Sequence, residues 1–189
     1  MLSNTGITLV ILTTLLSALI IYKSFTELHI ENNFINKKIF NLVTFQTTFS
    51  ILSFFVLIAG FVISDFSLIN VYENSHTKKP FFYKVSGAWG SHEGSLLLWI
   101  NILVIFSFLF LVFTKHNNKS YLLYTLIFQN FLILGFLIFL LINSNPFSKI
   151  YPIPIEGFGL NPILQDPALA IHPPLLYIGF VGSSINFSA

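Results

Sequence analysis

The chain has 189 residues, 54% hydrophobic and 8% charged, with a formal net charge of +2. Such a composition is too apolar for an ordinary soluble domain and points to membrane spans. All nine basic residues are lysines and cysteine is absent, which excludes an arginine-based nucleic-acid reader, a disulfide framework, a thiolate metal site and a CxxC redox pair on these residues.

In chain order, residues 6–22 form the first apolar run. The N-terminus before it carries no positive charge, and no small-x-small site follows it, so it reads as a retained span and not as a signal peptide. A polar connection with Lys23, Glu27, Glu31, Lys37 and Lys38 leads to a second run at 42–63. Residues 65–91 form a longer connection. A third run covers 95–113 and a fourth 121–142, separated by a short turn that holds Lys115 and Lys119 and no acid. Each run approaches the roughly 20 residues that a helix needs to cross the hydrocarbon.

The texture then changes, with seven of the eight prolines lying between Pro146 and Pro174. Proline removes a backbone donor and pushes its predecessor towards extended backbone. This stretch is expected to be an extended loop outside the hydrocarbon, where water or protein satisfies its polar groups. A fifth helix is expected near Leu175, with Pro173 and Pro174 in its first turn. Fifteen residues from there to Ala189 rise about 22 Å, so the fifth span reads as unfinished.

The fold class expected is all-α: a polytopic integral-membrane helix bundle of about four complete transmembrane helices plus the start of a fifth. Its divisions are a four-helix region at 1–142, a Pro-rich outer loop at 143–174 and the helix start at 175–189. The short basic turn between spans three and four places it, with the first connection, on the cytoplasmic or matrix side. The N-terminus, the 65–91 connection and the Pro-rich loop then share the opposite side.

Two phrases carry candidate chemistry. WGSHEGSLLLW, residues 89–99, holds both tryptophans of the chain. On a helix, His92, Ser95, Leu96 and Trp99 follow the i, i+3, i+4, i+7 pattern of one face. That face reads either as an interfacial aromatic belt with a wet His92 and Glu93, or as a surface facing a porphyrin or its propionates. LQDPALAIHPPLLY, residues 164–177, places His172 beside rigid prolines. Its imidazole reads either as an axial ligand to haem iron, with Tyr177 and Asn161 as polar neighbours, or as a cap on the fifth helix. His29, His76 and His116 read as solvated loop residues. No HExxH, Gly-x-Ser-x-Gly, P-loop or GxGxxG pattern occurs.

Taken together and in order, YKVSGAWGSHEGSLLLW, SNPF and PIEGFGLNPILQDPALAIHPPLLYIGFVG resemble the N-terminal portion of the CcmF family of cytochrome c-type biogenesis proteins, or haem lyases. The resemblance implies a bacterial inner (cytoplasmic) membrane or mitochondrial inner membrane location, with both motifs on the periplasmic or intermembrane-space side. It also implies a function. Haem b would be received from the haem chaperone CcmE and presented for attachment of its vinyl groups to the CxxCH of apocytochrome c. A CcmH-type thiol and docking subunit would assist.

His172 matches the family's HPP histidine, implied to be an axial ligand of haem iron. Trp89, His92, Trp99 and Tyr177 are further candidates for the cofactor-binding surface, although the resemblance does not make His92 an iron ligand. No catalytic side chain is implied. The family's tryptophan-rich segment, second outer histidine and b-haem histidines have no counterpart here. The second axial ligand would therefore come from the missing C-terminal part, and the chain would belong to a haem lyase complex without being active alone. Two other readings stand beside this one: a membrane scaffold that binds no haem, and a respiratory or ion-transport subunit. The four expected spans contain no Asp, Glu, Lys, Arg or His, which speaks against the last of these.

Overall fold

The computed structural model describes residues 1–30, 36–114 and 118–189. Its helices are α1 (Leu2–Leu28), α2 (Lys37–Ile63), α3 (Ile69–Asn74), α4 (Phe81–Gly87), α5 (His92–Thr114), α6 (Lys119–Asn143), α7 (Pro167–Gly182) and α8 (Ser184–Ser188), with a 3₁₀ turn at Pro162–Gln165. Five stretches are long and apolar enough to cross a membrane: α1, α2, α5, α6 and the combined segment Pro167–Ser188. The protein is a helical integral-membrane bundle.

The first two spans pair through small side chains. On α1 the buried residues Ser3, Gly6, Val10, Thr13, Ser17, Ile20 and Ser24 recur every three or four positions. On α2 the matching seam is Ile39, Val43, Gln46, Ser50, Ser53, Leu57 and Gly60. Lipid tails are as apolar as leucine, so helices in a bilayer associate through close packing of small residues and through polar contacts. Large side chains such as Leu15, Phe45, Phe55 and Phe128 point outward instead. α6 packs against α1, α5 lies against both α2 and α6, α7 rests on α5, and α8 rests on α6.

Uncharged amides supply the polar contacts. Gln46 Nε2 donates to Ser17 Oγ at 2.6 Å and to Asn130 Oδ1 at 2.9 Å, joining three spans. Gln129 Nε2 donates to Ser184 Oγ at 3.0 Å, and Ser188 Oγ donates to Gln129 Oε1 at 2.8 Å, which fastens α8 to α6. At one end of the bundle Lys119 Nζ lies 3.5 Å from Glu27 Oε1 and donates to the Ile30 carbonyl at 3.0 Å. Both side chains are buried, 9% and 6% exposed. Asn36, the N-cap of α2, donates to Glu27 Oε2 at 3.3 Å.

Three expectations about boundaries change. The first two spans run past their apolar cores, so Lys23 and Glu27 are helical. The 65–91 connection contains α3 and α4. The fifth helix starts at Pro167 and not near Leu175, because Asp166 caps it: Asp166 Oδ1 accepts from the backbone N–H groups of Ala168 at 2.9 Å and Leu169 at 3.1 Å. An Asp cap followed by proline at the first helical position is a strong start signal. His172 therefore lies inside α7, not ahead of it. With α8, this region supplies a candidate span of 22 residues, where only a helix start was expected. His29 is exposed at the end of α1. The expectation for His116 lies outside the described residues.

At the other end of the bundle, the N-terminus, the 65–91 connection and the Pro-rich loop meet, as expected. Ser3 Oγ donates to the Phe147 carbonyl at 2.7 Å, and Lys149 Nζ donates to Asn4 Oδ1 at 2.8 Å. Phe147 is fully buried, with its ring against Gly6, where a Cβ would collide with it. The backbones of 67–69 and 148–150 pair, Ile69 N–H donating to Ser148 O and Ile150 N–H to Ser67 O, both at 3.0 Å. Farther along, Phe158 N–H donates to Tyr72 O at 2.9 Å, and the two rings stand 4.6 Å apart.

Glu156 completes this stitching by accepting from Thr77 N–H at 3.0 Å and from the Thr77 hydroxyl at 2.5 Å. Its carboxyl is held down to about 2, first by the Thr77 hydroxyl, then by the Thr77 and Gly157 amides and by His76. Because the folded value is depressed, the tie is fully present above the ordinary carboxylate value of 4.5 and is lost as pH falls through about 2. An NMR titration of the Glu156 carboxyl is expected to show that low midpoint; a midpoint near 4.5 would mean that Thr77 does not hold it.

Candidate functional site

The residues of WGSHEGS take separate jobs in the turn that starts α5. Ser91 Oγ accepts from Gly94 N–H at 3.0 Å and so satisfies one of the free donors at the helix N-terminus. Ser95 Oγ donates to the Trp89 carbonyl at 2.6 Å and folds the turn back on itself. Gly94 sits so close to the Ala88 carbonyl that a Cβ would overlap it. This tight turn fixes where the Trp89 side chain leaves the backbone. α5 begins at His92, so the face of His92, Ser95, Leu96 and Trp99 is helical, while Trp89 precedes the helix.

Trp89 reaches the fifth span. Pro173 and Pro174 bring no N–H into α7, so the carbonyls of Leu169 and Ala170 lose their usual donors four residues on. Trp89 Nε1 donates to the Ala170 carbonyl at 2.8 Å. The indole thus supplies the donor that Pro174 lacks, which is how a proline pair is tolerated within a membrane helix. Further along, the Trp99 ring lies 5.6 Å from Tyr177, 6.0 Å from Phe180 and 5.8 Å from Phe136. Gly182 packs against the Phe106 ring. The two tryptophans hold α7 on the bundle at two heights.

This arrangement brings Trp89, Trp99 and Tyr177 together on the inner side of α7. His172 stands elsewhere: it is exposed, and at about 100° per residue it lies roughly 140° around the helix from Tyr177. Tyr177 therefore does not serve as its polar neighbour. The outward face around His172 carries Leu175, Leu176 and Gly179, all exposed. His92 is on another flank, its Nδ1 lying 3.3 Å from Ser144 Oγ at the end of α6. An imidazole on an apolar, open face is free to take a ligand from one side. Among the described residues no group of three or more His, Cys, Asp or Glu could hold a bare metal ion.

The carbonyl argument yields a test. Trp89→Phe is expected to cost about 1–2 kcal/mol in unfolding experiments. In a Pro174→Ala background the restored amide can reach Ala170 O, so the same replacement is expected to cost less, by at least about 0.5 kcal/mol. Equal costs in both backgrounds would show that the indole acts only by packing.

Sequence reasoning missed two parts of this picture. One is the Trp89–Ala170 bond, for which a proline pair next to an unassigned tryptophan is the available clue. The other is the set of buried amides, Gln46, Gln129 and Asn130, visible as polar letters within apolar runs.

Fold and site together define a multi-pass helical membrane protein whose fifth span is clasped by a tryptophan motif at the end of a long loop. Residues 89–189 match the family model described as Cytochrome C assembly protein, and the chain belongs to that family. It is 51% identical over 136 residues to the cytochrome c-type biogenesis protein CycK of Bradyrhizobium diazoefficiens, covering 72% of this chain and 21% of that protein. It is 44% identical over 137 residues to the cytochrome c-type biogenesis protein CcmF of Escherichia coli, again 72% of this chain and 21% of the relative. The chain thus spans about a fifth of the length of these relatives. A solved structure titled Cytochrome c Heme Lyase CcmF superposes with a TM-score of 0.78 at 20% identity, covering 100% of this chain and 29% of that one, and shows the same fold.

Proposed function

We propose that this chain acts in cytochrome c maturation as part of a haem-presenting membrane protein, with His172 as one axial ligand to the haem iron. In this reading haem is cargo. It arrives from a chaperone of the CcmE type and leaves attached to the CxxCH of apocytochrome c, with a CcmH-type partner supplying thiol chemistry that this cysteine-free chain lacks. The motif-bearing end would face the periplasm or intermembrane space.

The observation that carries the reading is the placement of His172. It is exposed on the outward, apolar side of a helix that Trp89 and Trp99 hold from behind. An imidazole presented this way can bind iron without moving the bundle. The chain's own contribution is to orient the ring: the Asp166 cap and the Trp89 bond keep α7 helical through its prolines, and so fix the direction of position 172. Leu175 and Leu176 would exclude water from one porphyrin face. Iron supplies the electrophilic centre when bound, and His172 donates the ring-nitrogen lone pair.

The test uses the assembled complex with the remainder of the protein. His172→Ala is expected to lower haem occupancy at least about tenfold. His172→Gly is expected to regain the wild-type absorption spectrum when imidazole is added. Unchanged occupancy and spectrum in the alanine variant would overturn the ligand assignment and favour a scaffold that binds no haem.

A further inference from the structure

His92 and Glu93 do not face the site on α7, and Glu93 has a different setting. It borders a polar pocket of about 160 Å³ with Asn70, Glu73, Asn143, Ser144 and Asn145. The pocket lies where α3 and the start of α5 meet the end of α6. Two of its groups are already engaged: Ser144 Oγ with His92 Nδ1 at 3.3 Å, and Asn145 Oδ1 with Phe147 N–H at 3.0 Å.

The others are not. Neither Glu73 nor Glu93 has an ion-pair partner among the described residues. Asn70 is only 4% exposed, yet neither its Oδ1 nor its Nδ2 has a hydrogen-bond partner among those residues. A buried amide left unpaired on both sides is costly and calls for a ligand. Two carboxylates beside it, with no lysine lining the pocket, give that ligand its sign.

The helix ends contribute too. α6 runs for 25 residues and ends at Asn143, so its last carbonyls crowd this region with partial negative charge. The N-terminus of α5 opposes this, and Glu93 in its first turn offsets that positive end. The donor set is all oxygen: carboxylate, amide carbonyl and helix-end carbonyl. Zinc prefers nitrogen and sulfur, and magnesium demands near-ideal octahedral geometry, whereas calcium accepts irregular sets of six to eight oxygens.

We propose that the pocket between α3, α5 and α6 binds a calcium ion through Glu73, Glu93 and the Asn70 side-chain carbonyl. The ion would clamp the short helix of the 65–91 connection to two membrane spans, directly beneath the turn that sets Trp89. This inference does not rest on haem handling, and its test does not read haem.

The full chain, purified in detergent and stripped with EGTA, is titrated with calcium chloride by calorimetry. Saturable binding is expected, with a dissociation constant of about 10⁻⁴ to 10⁻³ M, as in extracellular calcium modules, and weaker binding of magnesium. Glu73→Gln and Glu93→Gln are each expected to weaken calcium at least about tenfold. Glu156→Gln, outside the pocket, is expected to leave it unchanged. Asn70→Leu removes the unpaired amide without opening the core and is expected to stay helical by circular dichroism while losing affinity. Absence of saturable binding in the wild type would mean that the pocket holds only water, and would overturn the proposal. So would unchanged affinity in Asn70→Leu and the glutamine variants, or an equal loss in Glu156→Gln.

Discussion

Gly94→Ala is expected to destabilise the protein by about 3 kcal/mol, the upper part of the range for overpacking a rigid site. The added Cβ would overlap the Ala88 carbonyl, a backbone atom that no rotamer change can move aside. The turn would have to open, and with it the Ser91 cap on Gly94 N–H and the Ser95 bond to Trp89 O. Trp89 would then lose its line to Ala170. Unfolding midpoints and indole fluorescence both check this outcome. Gly135→Ala is the matched control. A Cβ there meets nothing within 4 Å, and alanine in place of glycine inside a helix is expected to gain about 0.5–1 kcal/mol. Equal destabilisation by the two replacements would refute the close-approach argument.

Glu27→Ala is the second large effect, expected to cost about 3–5 kcal/mol, because it breaks a buried ion pair by removing one partner. Glu27 carries Lys119 at 3.5 Å and Asn36 at 3.3 Å, so its removal loosens α1, α2 and α6 together. Replacing both partners, Glu27→Leu with Lys119→Met, is expected to return stability to within about 1 kcal/mol of the wild type, since an apolar pair of similar volume avoids the desolvation penalty. Thermal unfolding of the single and double variants in one detergent decides the matter. A single-variant cost below about 1 kcal/mol would mean that the pair behaves as a solvated one.

The membrane spans were legible in the sequence because length and apolarity alone define them. Their ends were not. Lys23, Glu27 and Lys37 extend the helices beyond the hydrocarbon pattern, and hydropathy does not register a helix that continues into water or into a protein-filled end. The fifth helix was misplaced because Pro173 and Pro174, and not Pro167, were read as its first turn. Asp166–Pro167 was the competing start signal, and Trp89 supplies a donor that no local rule could foresee. His172 was found through a motif resemblance; its outward direction comes from the register set by the earlier start at Pro167. His92 and Glu93 both lie towards the end of α6, His92 against Ser144 and Glu93 along the pocket that Ser144 lines, a placement that hydropathy does not register.

The pairing of α1 with α2 joins segments adjacent in the chain, whereas α7 finds its main seat on α5. During synthesis the first hairpin can close while later segments are still emerging, and the fourth span completes a platform before residue 167 appears. Among the five described spans, the helix that carries His172 is thus the last to settle. It meets aromatic rings already in place, Trp99 of α5 and Trp89 just before it, so the order of membrane insertion sets which side of α7 turns inward.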